Sequence, residues 1–349
     1  LITYNKMPSV KDKGNGLTGL TNLGNTCFLN SSMQALSHTY ELNDVFASSK
    51  FNKALQNASS ENNLVTEWIN LRNIIWSQDG VVSPNRFVYN VQEVAKIKDR
   101  DIFTGWAQND LPEFLLFIIE CMHNTVARPV KMTINGNVKN PTDKLATACY
   151  KMLKTSYSTE YSEIMEMFYG IYVSELSSKT GSNIHSVNPE NYFILDLEIP
   201  KQNASLYDCF DAFTSYEMLE GDNAWFNEKT KKREDVRKRI TFWNFPKILV
   251  ITLKRFSADG GKKRQDLIDF PLTDLNLSTY VSGYNASQYV YDLYAICNHS
   301  GGTMGGHYTS FVKTKTDEWL HYNDTHVERR VNKNRLISPK AYCLFYRKR

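Results

Sequence analysis

The sequence predicts an α+β fold, with helices gathered in the first half of the chain and a mostly antiparallel sheet in the second. Three observations carry that prediction. Up to residue 168, apolar residues recur at helical spacing. After Gly170 the chain breaks into short β-branched or aromatic runs separated by turn residues. Its 349 residues also exceed the ~250–300 at which one hydrophobic core stops growing, so two or more packed lobes are expected.

The first helix is expected over residues 27–38, where Leu29, Met33 and Leu36 share a side and Asn25 and Thr26 stand as candidate N-caps. Further helices are expected over 64–76, over 110–122 with Leu111, Leu115, Ile118, Ile119 and Met122 on one face, and over 143–168. Strands are expected at 171–176, 192–199, 240–242, 248–253, 289–297, 308–313, 318–322 and 341–346. Residues 1–16 are polar and glycine-containing and read as a flexible entry.

Composition narrows the function. Apolar residues make up 42% and aromatics 13%, enough to build a core, which excludes a disordered, collagen-like or coiled-coil chain. A net charge of +4 over this length does not argue for a nucleic-acid partner. The charged run at 229–239 reads as a solvated face. No window approaches the ~18 consecutive apolar residues of a membrane span, and residues 1–20 lack the apolar stretch of a signal peptide. Leu1 stands where an initiator Met would, so the chain reads as an excised fragment. Six scattered cysteines with no Cys-x-x-Cys pair point to a reducing compartment, cytoplasmic or nuclear.

The sharpest local signal is Gly-Asn-Thr-Cys-Phe-Leu-Asn at 24–30. It sets Cys27 in the first turn of a helix, where unpaired N–H groups and the helix dipole favour a thiolate. Asn22 and Asn25 add amides near the place where a carbonyl oxygen would gather charge. Against this stands the plain alternative that Cys27 is one more small buried residue. A base is also required. Six of the seven histidines (His38, His123, His185, His299, His321, His326) have no special surroundings in the sequence. His307 differs, because it follows the Gly-rich stretch 301–306 and opens a strand. If that strand pairs with 318–322 around residues 314–317, His307 lies across from Asn323 or Asp324, and the register decides which of them orients the ring.

With these residues in view, 19–36 resembles the cysteine box of the ubiquitin-specific proteases, and 306–310 with 319–324 resembles their histidine box. Gln-Asn-Asp-Leu-Pro-Glu-Phe-Leu at 108–115 is similar to the family's Gln-rich acidic box, and 248–256 to the strand before its cleft. The four boxes stand in order across 19–346. The resemblance implies a papain-like cysteine protease fold, with a thumb near 17–168, fingers and part of the palm near 169–245, and a palm near 246–349. It implies a deubiquitinating enzyme that cleaves after the C-terminal glycine of ubiquitin through a thioester, with ubiquitin and ubiquitinated proteins as partners and no cofactor. Cys27 would be the nucleophile, His307 the general base and acid, Asn323 the orienting residue with Asp324 assisting or substituting, and Asn22 the oxyanion donor. For the substrate tail, ending Leu-Arg-Leu-Arg-Gly-Gly in the family, the resemblance implies a narrow channel walled by Tyr308, Gly305 and Gly306. Gln108 also belongs to the binding residues, and Asp110 and Glu113 would face the arginines, although a solvated helix start accounts for the two acids equally simply. Glu217 matches a further family acid.

The chain also departs from the family. Where many members carry two Cys-x-x-Cys zinc pairs, Ser177, Ser178, Gly181 and Ser182 stand in one place and Trp225 and Phe226 in the other. No zinc is expected, and the two aromatics are expected to replace it by apolar packing. Pro112 suggests a helix beginning near Asn109 or Asp110. Residues 124–165 match no family motif and read as a helical extension. Two alternatives share most of these features: a protease for another ubiquitin-like modifier, and a ubiquitin-binding module without turnover. The intact Cys27, His307 and Asn323 argue against the module.

Overall fold

The computed structural model describes residues 16–48, 51, 59–257, 261–302 and 305–349. Its helices are α1 (Cys27–Ser37), α2 (Tyr40–Ala47), α3 (Ser60–Ser77), α4 (Asn85–Ile97), α5 (Leu111–Val126), α6 (Pro141–Glu160), α7 (Glu163–Phe168) and α8 (Leu206–Phe213). Its strands are β1 (Thr18–Leu20), β2 (Gly80–Val82), β3 (Gly170–Ser178), β4 (Ile184–Tyr192), β5 (Ile194–Leu197), β6 (Glu217–Leu219), β7 (Trp225–Asn227) and β8 (Lys232–Glu234). They continue with β9 (Val236–Asn244), β10 (Ile248–Leu253), β11 (Leu275–Asn276), β12 (Val290–Gly302), β13 (Gly305–Lys313), β14 (Trp319–Asn323), β15 (His326–Glu328) and β16 (Ala341–Lys348). The expected division holds, with seven of these eight helices before residue 170.

The main sheet runs β15-β14-β13-β12-β16-β10-β5, with β11 on β12. Only the β10–β5 pair within it is parallel. β10 shows why this sheet is central. All six of its residues are buried, and alternate side chains enter two different cores. Ile248 and Val250 join the core shared with α1, α3 and α5, while Leu249, Ile251 and Leu253 join a second core on the opposite face. The two expected lobes are thus two cores on either side of one sheet. A third, smaller cluster packs Ala146 and Cys149 of α6 against Ile171, Val173 and Trp243, tying that helix to the sheet β4-β3-β9-β6.

Several expectations are corrected. The 143–168 helix is two helices, because Ser162 caps α7 with its hydroxyl on the Met165 N–H. Residues 127–139, read as part of a helical extension, run as non-helical backbone pinned by the Arg128–Tyr161 bridge. Of the flexible entry at 1–16, only Gly16 falls among the described residues. It is buried and its carbonyl accepts the Tyr322 hydroxyl at 2.6 Å. Strand 192–199 shortens to β5, because Tyr192 ends β4. Three helices (α2, α4 and α8), the long polar strand β4 and the short strands β1, β2, β6, β7, β8, β11 and β15 lie outside the expected elements. Asp110 is the N-cap of α5 with Pro112 in the first turn, one residue later than expected.

Candidate active site

The turn ahead of α1 is built by Asn22. Its side-chain carbonyl accepts from the Gly24 and Thr26 N–H groups at 3.1 and 3.0 Å, and the Thr26 hydroxyl accepts from Leu23 N–H at 2.9 Å. Gly24 (φ 100°) and Asn25 (φ 59°) both take left-handed backbone to close it, a conformation glycine and asparagine tolerate best. Thr26 is the N-cap of α1, without a side-chain bond into the helix. Cys27 follows, only 2% exposed.

Burial raises the Cys27 thiol above its ordinary value of 9, and the negative charge of Asp324 adds to the rise. The N–H groups of Tyr308, Phe28 and Cys27 itself pull the other way without prevailing. The helix start does act on the sulfur as the sequence suggests, but desolvation is the larger effect. At neutral pH the resting group is a thiol.

The Tyr308 N–H belongs to the peptide unit that joins it to His307, so the strand that carries the imidazole passes beside the thiol. The register of β13 and β14 pairs Ser310 with Tyr322 and Lys313 with Trp319, one or two places off the expectation, and would set His307 opposite Thr325. Pairing stops at Ser310, and Asp324 (φ 48°) turns the chain into β15. Asn323 therefore reaches back, and its side-chain oxygen lies 2.6 Å from His307 Nε2, while Asp324 Oδ2 stands 4.0 Å away. An amide oxygen can only accept, so Nε2 carries the hydrogen and Nδ1 keeps its lone pair. Asp324 is instead bound by two side-chain amides, Asn22 Nδ2 at 3.0 Å and Asn30 Nδ2 at 2.8 Å.

Beside these groups opens a groove of about 890 Å³, lined among others by Asn25, Asp110, Phe256, His299, Gly305 and Tyr308. The two candidate acids differ. Asp110 lines the groove, where burial raises its carboxyl, and the hydroxyls of Tyr308 and Tyr342 donate to Oδ1 at 3.1 and 2.9 Å. Glu113 is exposed on the first turn of α5 and is not part of the lining, though its charge adds to the rise at Asp110. Gln108 is also at the groove, paired with the Gly306 backbone. Glu217 lies elsewhere, exposed on the edge strand β6 opposite Lys238.

Sequence reasoning passed over His299. It is buried at the floor of the groove, its ring 4.6 Å from that of Tyr308, and Lys263 Nζ lies 2.8 Å from its Nδ1. Burial, then the Lys263 charge, lowers this histidine to about 4, so it is neutral and accepts from the ammonium. Burial lowers Lys263 in turn, to about 8. The same ammonium donates to the carbonyls of His299 and Gly301 at 2.8 and 3.2 Å. A Lys thirty-six positions upstream leaves no local pattern that would mark the pair.

At the family's zinc positions, the hydroxyls of Ser178, Thr180 and Ser182 bond one another at 2.9 to 3.4 Å. Among the described residues no three His, Cys, Asp or Glu side chains converge as a metal site, and no helix is long and apolar enough to cross a membrane. Trp225 packs on His185 at 5.4 Å, but Phe226 is 45% exposed, which corrects the expected apolar replacement.

A helix-borne cysteine set against a histidine–asparagine pair on an antiparallel sheet is the papain-like α+β arrangement. The family model described as "Ubiquitin carboxyl-terminal hydrolase" matches residues 18–346, and the chain belongs to that family. It is 36% identical over 344 residues to human ubiquitin carboxyl-terminal hydrolase 2, and 34% identical over 357 to human ubiquitin carboxyl-terminal hydrolase 21. In each comparison 95% of this chain aligns, but it spans only 55% and 62% of those relatives. The fold is that of the SAGA Ubp8/Sgf11/Sus1/Sgf73 DUB module bound to ubiquitin aldehyde, with a TM-score of 0.73 and 24% identity, covering 100% of this chain and 73% of that one.

Proposed function

We propose that this chain is a thiol-dependent deubiquitinase that hydrolyses the bond after the C-terminal glycine of ubiquitin. The observation that carries the reading is the His307–Asn323 pair at 2.6 Å, which leaves Nδ1 to take a proton, on the strand whose next backbone N–H acts on the Cys27 thiol. His307 Nδ1 removes the thiol proton as the sulfur attacks the glycine carbonyl. The second hydrogen of Asn22 Nδ2, not used by Asp324, and the backbone N–H groups at the start of α1 hold the oxyanion. His307 then protonates the departing lysine amine, leaving a thioester. A water that gives its proton to His307 attacks the thioester, and the thiol returns with the glycine carboxylate released.

The groove supports this substrate. Gly305 and Gly306 line it without side chains, which suits a tail ending in two glycines, and Asp110 offers a carboxyl to an arginine. On this reading the chain divides into a thumb to about residue 168, fingers with part of the palm to about 245, and the palm beyond. All six cysteines are free and buried, as in a reducing compartment such as the cytoplasm or nucleus.

A ubiquitin C-terminal electrophilic probe should label wild-type protein at Cys27, and Cys27→Ala should abolish both labelling and hydrolysis of a ubiquitin reporter. Undiminished hydrolysis by Cys27→Ala would end the proposal. Preferential labelling by a different ubiquitin-like modifier would transfer the same chemistry to that substrate.

A further inference from the structure

The outer edge of β13 has no strand beside it where the groove begins. Pairing with β14 starts only at Ser310, so the backbone groups of Gly306 that face away from β12 would otherwise go unmet. A single side chain meets them. Gln108 Nε2 donates to the Gly306 carbonyl at 2.9 Å, and Gln108 Oε1 accepts from the Gly306 N–H at 2.8 Å. This two-bond pattern is the one a neighbouring peptide would make, so the amide stands in for one residue of a missing strand.

The same amide reaches the other half of the site. Gln108 Nε2 lies 3.4 Å from Asn25 Oδ1, and Asn25 Nδ2 donates to the Trp106 carbonyl at 3.0 Å. Asn25 is two residues before Cys27, and Gly306 is next to His307. Gly306 admits no side chain, because a Cβ there would sit 2.1 Å from His299 Nε2. The far strand of the hairpin is already held by Lys263 at His299 and Gly301. Only the returning strand, the one that carries the base, depends on Gln108.

We infer that Gln108 is a positioning residue, a latch that joins the His307 strand to the Cys27 turn, and not a contact for the substrate tail. The inference rests on the deubiquitinase reading for its kinetic consequence, but the latch itself is a property of the free protein. Two variants test it. Gln108→Met keeps the length and loses both bonds. Gln108→Asn keeps the amide and falls one methylene short. Gln108 is exposed, so neither should disturb folding.

With a ubiquitin–fluorophore reporter, both variants should lower kcat about tenfold while KM stays within about twofold. Hydrogen exchange at the Gly306 amide should speed up about tenfold or more, with the amides of His321 and Tyr322 unchanged. A raised KM with kcat intact would make Gln108 a substrate contact and overturn the inference, as would unchanged exchange at Gly306. If wild-type protein fails to cleave the reporter, the deubiquitinase reading falls, and the exchange measurement still decides the latch.

Discussion

All eleven residues of α1 are buried, whereas His307 keeps 42% of its side chain exposed on a hairpin whose outer edge is only partly paired. The two halves of the candidate site are held by different forces. Cys27 is placed by hydrophobic packing: Leu29, Met33 and Leu36 anchor its helix in a core that also takes in the apolar faces of α3 and α5. His307 is placed by a few directed polar contacts, from Asn323 to its ring and from Gln108 to the neighbouring Gly306. Packing is costly to disturb and spreads its effect through the fold. A polar contact on an exposed edge is worth little to stability and a great deal to aim.

Mutations should therefore separate the halves. The largest effect on folding is expected at Leu36, which has no exposure. Leu36→Ala should cost about 2–5 kcal/mol in denaturant unfolding, with the activity of the remaining folded molecules nearly unchanged. Asn323→Ala should do the reverse. It should lower kcat ten- to a hundredfold, on the order of 1–3 kcal/mol in the barrier, and leave the unfolding midpoint within about 0.5 kcal/mol. A loss of stability at Asn323 as large as that at Leu36 would break the distinction.

The smallest expected effect is on pH. α1 carries no titratable side chain besides Cys27, while the hairpin is seated on neutral His299. Its value falls from 6.5 to about 4 on folding, so between those limits the unfolded chain binds more protons, and stability declines as pH drops from 6.5 toward 4. Protonation would also turn Nδ1 from acceptor into donor, facing Lys263. His299→Gln retains an acceptor and removes the titration. Across that window wild-type protein should lose about 3 °C more in Tm than His299→Gln. Equal losses would show that the acid response lies outside the hairpin.

Much of this was legible in the chain. The Gly-Asn turn and the spacing of Leu29, Met33 and Leu36 announce α1, and the β-branched run at 248–253 announces β10 as a strand. α4 and α8 carried signals that were passed over: Phe87, Val88, Val91, Val94 and Ala95 at helical spacing, and the Ser205–Asp208 capping box. β4 was hidden for a better reason, since its sequence is mostly polar and its pairing to β3 is what makes it a strand. The choice between Asn323 and Asp324 depended on the turn at 314–318, whose length shifts the register and whose sequence does not specify it. The Cys27 thiol departs from the thiolate its helix start favours, because that start is local while burial and Asp324 act through the tertiary fold. Gln108 and Lys263 were invisible as partners for the same reason, because each bonds backbone brought to it from a distant stretch of chain.

The proton retained on the resting Cys27 sulfur has a consequence beyond turnover. Peroxide and other oxidants attack the thiolate, and sulfur taken to the sulfinic stage does not come back. Under the proposed mechanism Cys27 surrenders its hydrogen only with a carbonyl in place and is chemically quiet between encounters, so it should survive an oxidative burst that silences thiolate-bearing neighbours.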